Sequence, residues 1–563
     1  MYLRTTRRKN ADGSVVGYYQ LAENVWDPEK GCAVAKVVYN FGRADELDHA
    51  ALQRLAKSIL RVFPGEEAMA AEPGVRIRNA WPHGTIHVVD AIWRELGIDK
   101  VITGLARRHT TQQPFERALF AMVANRTHEP CSKLYCREQW LSEEVYFPGE
   151  EALELEHLYR AMDFLEAHKE EVEKEIFFRT ADLMKADVDL IFYDTTSLHF
   201  EVDEEDELPR RGNKLAGEGE YPPLRKRGLS KNGRGDAPQI VVGLAVTRDG
   251  LPVRSWVFPG QTTDVTTVEK VKEDLRGWRL GRCVFVGDAG MNSEENRRTL
   301  SLGGGKYILA ARMRAGDEVS REVLTRAGRY QEVADHLRVK EVVVGEGERR
   351  RRYVVCSNPE EAERQASHRK QVLEELGREL ASLRKPKRGE SHSKRTCQLI
   401  STPRFARYLR QTRRGALKID KAAVRAEEKL EGKWVVTSND DTLSAEDLAL
   451  GYKQLMRVES CWRTIKSGLR TRPVFHWKPH RISAHVSLCV LALLIERIVE
   501  IRTGQTWRNV RAQLDTIKVV EYQRGGAVVR QTTELRDDVE AVLRSLKIDP
   551  PPRFHSVATA PAA

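Results

Sequence analysis

The sequence contains few cysteines, and no two of them are spaced for metal binding. Its 563 residues include eight cysteines, scattered along the chain without a C-x-x-C pair. This excludes a zinc ribbon and gives no sign of a disulfide framework. Several cysteines lie in apolar runs, as buried free thiols do. Free thiols fit a reducing compartment, so we expect a cytoplasmic protein.

The sequence also lacks a long hydrophobic run. Its most apolar stretch, His485 to Ile495, is far shorter than the ~20 residues that cross a bilayer. The basic start, MYLRTTRRKN, is not followed by the apolar segment of a signal peptide. Gly303-Gly304-Gly305 has no following Lys-Ser/Thr, which predicts a turn and not a P-loop. We therefore expect no membrane partner.

Charge is abundant and biased toward one sign. Charged residues make up 31% of the chain, and 93 Lys and Arg against 82 Asp and Glu give a formal net charge of +11. A basic chain of this kind suits a polyanionic partner, most simply nucleic acid. The length is sufficient for several domains with a large core.

Periodicity and composition divide the chain into regions of different character. Residues 1–43 have β-rich runs at Val15–Ala22 and Ala33–Phe41, followed by a predicted helix at Asp45–Val62 and a linker over 65–80. The expected organisation is 1–80, a β-rich region and linker; 81–185, a helical region with possible DNA binding; 186–314, the first part of a catalytic core; 315–432, an insertion; 433–505, the second part of the core; and 506–563, a C-terminal region.

The helical region allows two interpretations. Helical spacing occurs over Val88–Leu96, Pro114–Asn125, Ser132–Leu141 and His157–Met184. Short helices joined by turns could form a helix-turn-helix DNA-binding module or a plain helical bundle. The basic residues that would serve DNA binding are Arg117, Arg126, Lys133 and Arg137.

The pattern changes to alternating strands and helices after residue 186. The predicted order is β-β-β-α-β-α-β, typical of a mixed α/β sheet with an antiparallel hairpin at Arg248-Asp249-Gly250. The elements are strands Val188–Phe200, Gln239–Thr247 and Leu251–Phe258, helix Thr266–Trp278, strand Arg282–Gly287, a helix capped by Ser293, and strand Lys306–Met313.

An α+β insertion is expected to interrupt this core. It has predicted strands at Val339–Val344 and Arg352–Cys356, a charged helix at Pro359–Leu383 and a basic exposed loop at Arg384–Arg388. The core resumes with strand Lys433–Ser438, a helix over Leu448–Lys466 and the apolar helix Arg481–Arg497.

The stretch Leu448–Lys466, here called the signature helix, has the apolar stripe of an amphipathic helix. A second stripe of side chains runs beside it. Tyr452, Glu459 and Lys466 follow at seven-residue intervals, nearly two helical turns, so they should stack on one face. An acid can hold a metal there and a lysine can neutralise a phosphate. The alternative is a solvated face on which Glu459 pairs with Arg463 at i,i+4.

Two further carboxylates lie on predicted strands. Asp194 is mid-strand in an apolar run, where an unpaired charge is costly. Asp288 ends the fourth strand, and open α/β sheets bind ligands at such strand ends. In this strand order, strands one and four can be neighbours. The two carboxylates would then repel each other unless a divalent metal bound both of them. Alternatively, each aspartate could cap a turn.

These motifs together resemble the DDE transposases of bacterial insertion sequences. The matching segments are Tyr193-Asp194-Thr195-Thr196, Gly287-Asp288-Ala289-Gly290, Tyr452…Glu459…Lys466, Gly228–Gln239 and Arg472–Trp477. The resemblance covers about residues 185–500 and implies a ribonuclease-H-like α/β core. It implies Asp194, Asp288 and Glu459 as catalytic ligands of Mg²⁺ or Mn²⁺, with two ions. It implies DNA contacts at Tyr452 and Lys466, and we add Arg463, Lys231 and Arg234 to that set.

One position departs from the family pattern. An arginine often lies three residues after the tyrosine, and Leu455 stands there, with Arg457 nearby. The long interval between Asp288 and Glu459 is consistent with the insertion such enzymes carry.

The expected function is that of a bacterial, cytoplasmic transposase that acts as a homodimer in its synaptic complex. It would bind terminal inverted repeats, cleave DNA and join the freed end to target DNA. The alternatives are a nuclease of the same fold without joining activity and a domesticated, non-catalytic DNA-binding protein.

Overall fold

The computed structural model describes residues 2–559 except 10–14, 29, 31, 45, 49, 51, 53, 55–74, 110–112, 187, 232, 281–282, 315–317, 384–391, 414 and 525–526. The chain divides into two compact units. One contains Met1–Asn79, Glu521–Arg530 and Ser556–Ala563, and the other contains Ala80–Val520 and Gln531–His555. Most of the predicted helix Asp45–Val62 and of the linker, the basic run Arg384–Arg388 and the Gly525-Gly526 turn lie outside the described residues.

The strands include all those predicted for the central core, and several short ones that were not predicted. They are β1 Tyr2–Lys9, β2 Val15–Asp27, β3 Cys32–Arg43, β4 Arg76–Pro82, β5 Leu190–His199, β6 Arg210–Arg211, β7 Glu220–Tyr221, β8 Gln239–Val246, β9 Pro252–Pro259, β10 Val284–Gly287, β11 Lys306–Ala311, β12 Gln331–Ala334, β13 Leu337–Val344, β14 Arg351–Ser357, β15 Leu409–Gln411, β16 Leu417–Ile419, β17 Lys433–Ser438, β18 Lys518–Arg524, β19 Ala527–Thr532 and β20 Phe554–Thr559.

The α-helices are Gly84–Glu95, Ile98–Ala106, Phe115–His128, Lys133–Tyr135, Leu155–Ala167, Lys169–Met184, Asp264–Gly277, Glu294–Ser301, Pro359–Leu383, His392–Ser401, Pro403–Ala406, Lys421–Glu428, Ala445–Lys453, Met456–Arg463, Pro479–Thr503, Trp507–Leu514 and Asp537–Leu546. π-helical segments cover Cys136–Glu144, Val319–Val323 and Thr464–Gly468.

A nine-stranded mixed sheet is the framework of the larger unit, in the order β12-β13-β14-β17-β11-β10-β5-β8-β9. β5, β10 and β11 run parallel, and the other neighbouring pairs are antiparallel. The predicted hairpin β8–β9 and the side-by-side placement of the first and fourth core strands are both confirmed.

The strands of the expected insertion continue this sheet. β17 pairs with β11 on one side and with β14 on the other, and β13 and β12 extend the sheet further. A separate small core forms where helix Pro359–Leu383 packs with residues of the β15–β16 hairpin. The insertion is therefore partly sheet extension and partly a local helical subdomain.

Strand β5 shows how the two faces of the sheet are covered. Leu190 and Phe192 belong to the core cluster that includes the signature helix, whereas Ile191 and Tyr193 belong to the cluster that includes helix Asp264–Gly277. This alternation is the two-residue period of a strand buried on both faces. It fixes which side chains of β5 meet which helix.

The helical region packs as a bundle with the core. Helices Phe115–His128, Leu155–Ala167 and Pro479–Thr503 pack against one another. Of the basic residues considered for DNA binding, Arg126 and Lys133 are buried, with 6% and 4% exposure. The expectation of one long helix over His157–Met184 was wrong, because the chain forms two helices on either side of His168.

The apolar run near residue 490 lies in a longer helix than expected. Pro479–Thr503 has 25 residues and is long and apolar enough to cross a membrane, but 94% of its most apolar window is buried inside the protein. The eight cysteines are all free thiols, which agrees with the absence of a disulfide framework.

Candidate active site

Asp194 lies in β5 on the face that meets the signature helix. Leu190 and Phe192 belong to the cluster on that face, and the two-residue period gives Asp194 the same side. Only 19% of its side-chain surface is exposed. Burial raises the pKa of the Asp194 carboxyl to about 6, and the charges of Asp288 and Asp264 act in the same direction. Lys231 opposes them. A carboxyl whose pKa is raised this far is costly to ionise unless a cation lies beside it.

Asp288 follows the end of β10, directly beside Asp194. The parallel register pairs Gly287 with Tyr193, so the next residue on each strand is one of the two aspartates. The backbone N–H of Ala289 donates a 2.6 Å hydrogen bond to Asp288 Oδ1. Asp288 therefore begins the following turn, as the alternative interpretation allowed, and also lies next to the other acid.

The predicted signature helix has three segments instead of one regular helix. Ala445–Lys453 and Met456–Arg463 are α-helical, and Thr464–Gly468 is π-helical. Between the first two, the N–H groups of Leu455 and Val458 bond to carbonyls three residues back, at 2.9 and 3.0 Å. The continuous seven-residue stripe was therefore wrong in detail, because a tightened turn and a widened turn change the angular spacing of its members.

The electrostatic surroundings of Tyr452 nevertheless indicate that the three acids lie near one another. Burial raises the pKa of its phenol, followed by the negative charges of Asp288, Glu459 and Asp194. Helix Met456–Arg463 packs against β5 and β8. Glu459 is exposed, and within the described part of the chain it forms no ion pair, so the i,i+4 pair with Arg463 is not made.

Leu455 has a structural role at the position where the family often has arginine. It is 8% exposed and belongs to the main core cluster, at the junction of the two α-helical segments. Arg457 lies on the exposed side.

Lys231 is directed at the carboxylates and not outward. Its Nζ lies 3.8 Å from Asp194 Oδ1 and 2.9 Å from Asp264 Oδ2. It also donates hydrogen bonds to the carbonyl and hydroxyl oxygens of Thr195, at 2.9 and 2.8 Å. The Thr195 hydroxyl in turn donates to Asp264. Lys231 thus neutralises part of a carboxylate cluster.

Asp264 is the residue that sequence analysis missed. It begins helix Asp264–Gly277, where an acid is common for electrostatic reasons alone, so its sequence position carries little signal.

The other expected DNA contacts have different surroundings. Lys466 lies in the π-helical segment, and burial lowers the pKa of its amine, as does Arg472, whereas Asp194 raises it. Arg463 is exposed. Arg234 is half-buried and pairs with Glu201 at 3.3 Å and with Asp236 at 3.1 Å.

The donor set fits a hard divalent cation. Asp194, Asp288 and Glu459 offer carboxylate oxygens only, the ligands that Mg²⁺ and Mn²⁺ prefer. The raised pKa of buried Asp194 beside other negative charges shows where such a cation would relieve repulsion. Among the described residues, however, no three His, Cys, Asp or Glu side chains are already grouped closely enough to enclose an ion.

A cavity of about 430 Å³ adjoins the carboxylates. Lys231, Asp264 and Arg312 line it, together with Thr196 and Asn292. Its mixture of cations and hydroxyl or amide groups suits a phosphate-bearing polymer close to the acids.

Comparisons with family models identify one class. Residues 3–69 match the N-terminal domain of the IS1634 family transposases, and residues 225–495 match the transposase DDE domain. The second match includes Asp288 and Glu459 and begins after Asp194.

The searches of curated proteins and of solved structures add no family assignment. A search of curated proteins returned no match. Among solved structures, the cryo-EM structure of the piggyBac transposase synaptic complex with hairpin DNA is similar at 10% identity, covering 77% of this chain and 78% of that one. Its TM-score of 0.33 is too low to assign a fold.

Proposed function

The chain belongs to the DDE transposases of insertion sequences, since the two family matches together span more than half of it, and from this premise we propose that Asp194, Asp288 and Glu459 are its metal-binding catalytic triad. As a member of that class it catalyses DNA cleavage and strand transfer. The triad assignment gives these reactions their site, in the middle of β5 and at the carboxyl end of β10, beneath the signature helix.

The observation that carries the triad is the strand register. Because Gly287 pairs with Tyr193, Asp288 and Asp194 follow at adjacent points of neighbouring parallel strands. Glu459 joins them from helix Met456–Arg463, which packs on β5, and its charge acts on the same Tyr452 phenol as the two aspartates.

Asp194, Asp288 and Glu459 would hold Mg²⁺ or Mn²⁺, and two ions would be held once DNA phosphate adds its own oxygens. When bound, the metal supplies Lewis-acid stabilisation of the phosphate and lowers the pKa of an attacking hydroxyl or water. Asp194 would gain from this cation, because burial disfavours the ionised form of its carboxyl.

Lys231 keeps the carboxylate cluster partly neutral before metal and DNA arrive. Its ammonium lies between Asp264 and Asp194. When a metal takes over the neutralisation of Asp194, Lys231 remains paired with Asp264 and presents its charge toward the adjoining cavity, where a DNA phosphate would lie.

DNA is bound along the face that carries these groups. Lys466 and Arg463, which follow Glu459, supply positive charge to the phosphates of the transposon end. Tyr452 orients these phosphates beside the acids. Lys231 and Arg234 contact the same DNA from the segment before β8. The contacts to phosphates fix the position of the DNA but carry no base specificity.

The core around this site is ribonuclease-H-like, with residues 315–432 as its insertion. β5, β8, β9, β10 and β11 supply the central strands of such a core in the required order. The enzyme works as a homodimer on paired inverted-repeat ends and on target DNA, in the bacterial cytoplasm where the nucleoid lies. The basic balance of the chain suits this partner.

A strand-transfer assay tests the proposal. The flanking genomic DNA identifies the inverted repeats, and labelled end duplexes are incubated with the full chain, Mg²⁺ and a target plasmid. We expect nicked ends and joined products from the parent protein. Asp288→Asn should retain end binding and give neither product. Cleavage by Asp288→Asn at the parent rate would remove Asp288 from the triad.

A further inference from the structure

A second cationic site lies behind the C-terminal end of the signature helix. It is a cavity of about 250 Å³, several times the ~30 Å³ that a water occupies in the liquid. Arg126 and Lys133 come from the helical region, Arg472 and His476 from the segment after the signature helix, and His485 from helix Pro479–Thr503.

Lys133 is the unusual member of this cavity. It is 4% exposed, and its Nζ has no hydrogen-bond partner among the described residues. Burial, and after it the charge of Arg126, lower the pKa of its amine to about 7. A buried amine without partners is destabilising, since desolvation is not repaid by any contact.

No negative charge compensates these cations. Among the described residues that line the cavity, none is acidic. The nearest acid with a recorded effect is Asp163, which raises the pKa of His476 while cations and burial lower it to about 3. Asp163 is already held by Arg481 at 2.7 and 2.8 Å and by Asn213 at 2.9 Å.

Hydrogen bonds connect the cavity to the segment that follows the signature helix. Arg126 Nη1 donates to the carbonyl oxygens of Leu469 and Arg470, at 3.2 and 3.4 Å. Arg472 lies near enough to Lys466 to lower the pKa of its amine. The cavity wall thus begins directly after the segment that carries Glu459 and Lys466.

We propose that this cavity, lined by Arg126, Lys133 and Arg472, binds a phosphate group of the DNA beside the catalytic carboxylates. The proposal rests on the DNA-binding function argued above and adds a subsite to it. A phosphate oxygen would accept the hydrogen bonds that Lys133 Nζ and Arg126 Nε lack in this structure. It would also neutralise a group of cations that otherwise repel one another.

A buried cation kept for a ligand predicts opposite changes in stability and binding. Lys133→Met conserves the length of the side chain and removes the uncompensated charge, so its thermal midpoint should exceed that of the parent in phosphate-free buffer. Inorganic phosphate should raise the midpoint of the parent more than chloride does at equal ionic strength. It should raise the midpoint of Lys133→Met clearly less than that of the parent, because phosphate also stabilises folded proteins without binding a site.

Lys100→Met is the matched control. Lys100 is exposed in helix Ile98–Ala106 of the helical region. Its substitution removes the same charge from that region. It should respond to phosphate as the parent does. Equal responses of the parent to phosphate and chloride, or a phosphate response retained by Lys133→Met, would overturn the proposal. If Lys133→Met does not fold, Arg472→Gln at the rim replaces it, with the same expected loss.

DNA binding then separates the sources of the phosphate. Lys133→Met should weaken duplex binding at low salt by about tenfold, as expected for a lost charge-assisted hydrogen bond. An equal loss on 5′-phosphorylated and 5′-hydroxyl duplexes assigns the subsite to an internal phosphate, and a loss confined to the phosphorylated duplex assigns it to a strand end. Undiminished binding to both duplexes would overturn the DNA assignment, even with the response to free phosphate intact.

The catalytic variant distinguishes this proposal from the triad. Asp288→Asn should keep the parent's response to inorganic phosphate. If Asp288→Asn still cleaves, the triad fails while the phosphate response of Lys133 still decides the subsite. If Lys133→Met keeps its phosphate response and Asp288→Asn is inactive, the triad holds and the subsite fails.

Discussion

Asp194→Asn should make the metal-free protein more stable at neutral pH, although it should abolish cleavage. Burial holds the pKa of the Asp194 carboxyl at about 6, against 3.8 for an ordinary aspartate. Between these values the unfolded chain loses the proton first, so the native state binds more protons. The stability of the parent therefore falls as pH rises from about 4 to about 6 and stays low above that.

The size of the effect follows from the shift. A pKa raised by about 2 units corresponds to about 3 kcal/mol, at roughly 1.4 kcal/mol for each unit. The side chain is only 19% exposed, so solvent screening removes little of this value. Asparagine has nearly the same shape and cannot ionise, so it escapes the penalty and loses only the ion pair with Lys231.

Thermal unfolding in EDTA at pH 4.5 and pH 7.5 measures this difference. The midpoint of Asp194→Asn should exceed that of the parent by a few degrees at the higher pH, and the difference should be much smaller at the lower pH. Asp335→Asn, at an exposed position, is the control and should show no such pH-dependent gain. An Asp194→Asn protein less stable than the parent at both pH values would refute the reasoning, because Asp194 would then be in a stabilising ion pair.

Cleavage should require Mg²⁺ or Mn²⁺, with Ca²⁺ supporting binding but little cutting, and full activity in EDTA would rule out the metal site. Lys466→Ala should weaken end binding equally for all base changes and reduce the slope of log affinity against log salt by about 1. Lys453→Ala, at an exposed position one residue after Tyr452, should leave the slope unchanged, and a Lys466 variant with the parent's slope would exclude the phosphate contact. Glu459→Gln should abolish cleavage but keep the metal-free salt slope, and a lost slope would assign Glu459 to DNA binding instead.

Local patterns predicted the central strands because each strand is specified by its own residues. The run around Asp194, the Arg248-Asp249-Gly250 hairpin and strand Lys433–Ser438 each carry their signal locally. The neighbouring positions of Asp194 and Asp288 also followed, because strand order restricts which parallel strands can pair.

Features that depend on distant contacts could not be read from the sequence. The insertion strands join the main sheet because β17 pairs with both β11 and β14, a choice between partners that no local pattern records. The tightened turn at Leu455 is held by burial of that side chain in the core. Asp264 lies before the predicted helix Thr266–Trp278, and its place in the carboxylate cluster depends on its contacts with Lys231 and Thr195.

The burial of Arg126 and Lys133 was likewise invisible in the sequence. Basic residues on short helices are normally exposed, so the sequence left both a DNA-binding module and a plain helical bundle open. Packing of the helical region against helix Pro479–Thr503 instead turned both residues inward.

The most direct test of the account is to map the metal site on the chain itself. Fe²⁺ replaces Mg²⁺ in the DNA-bound protein, and hydroxyl radicals generated at the ion cut the nearby backbone, with the fragments identified by mass spectrometry. The account predicts cuts close to Asp194, Asp288 and Glu459, three positions far apart in sequence, and their loss in Asp288→Asn. Cuts near one of these residues alone, or at sites unrelated to them, would contradict a shared metal site.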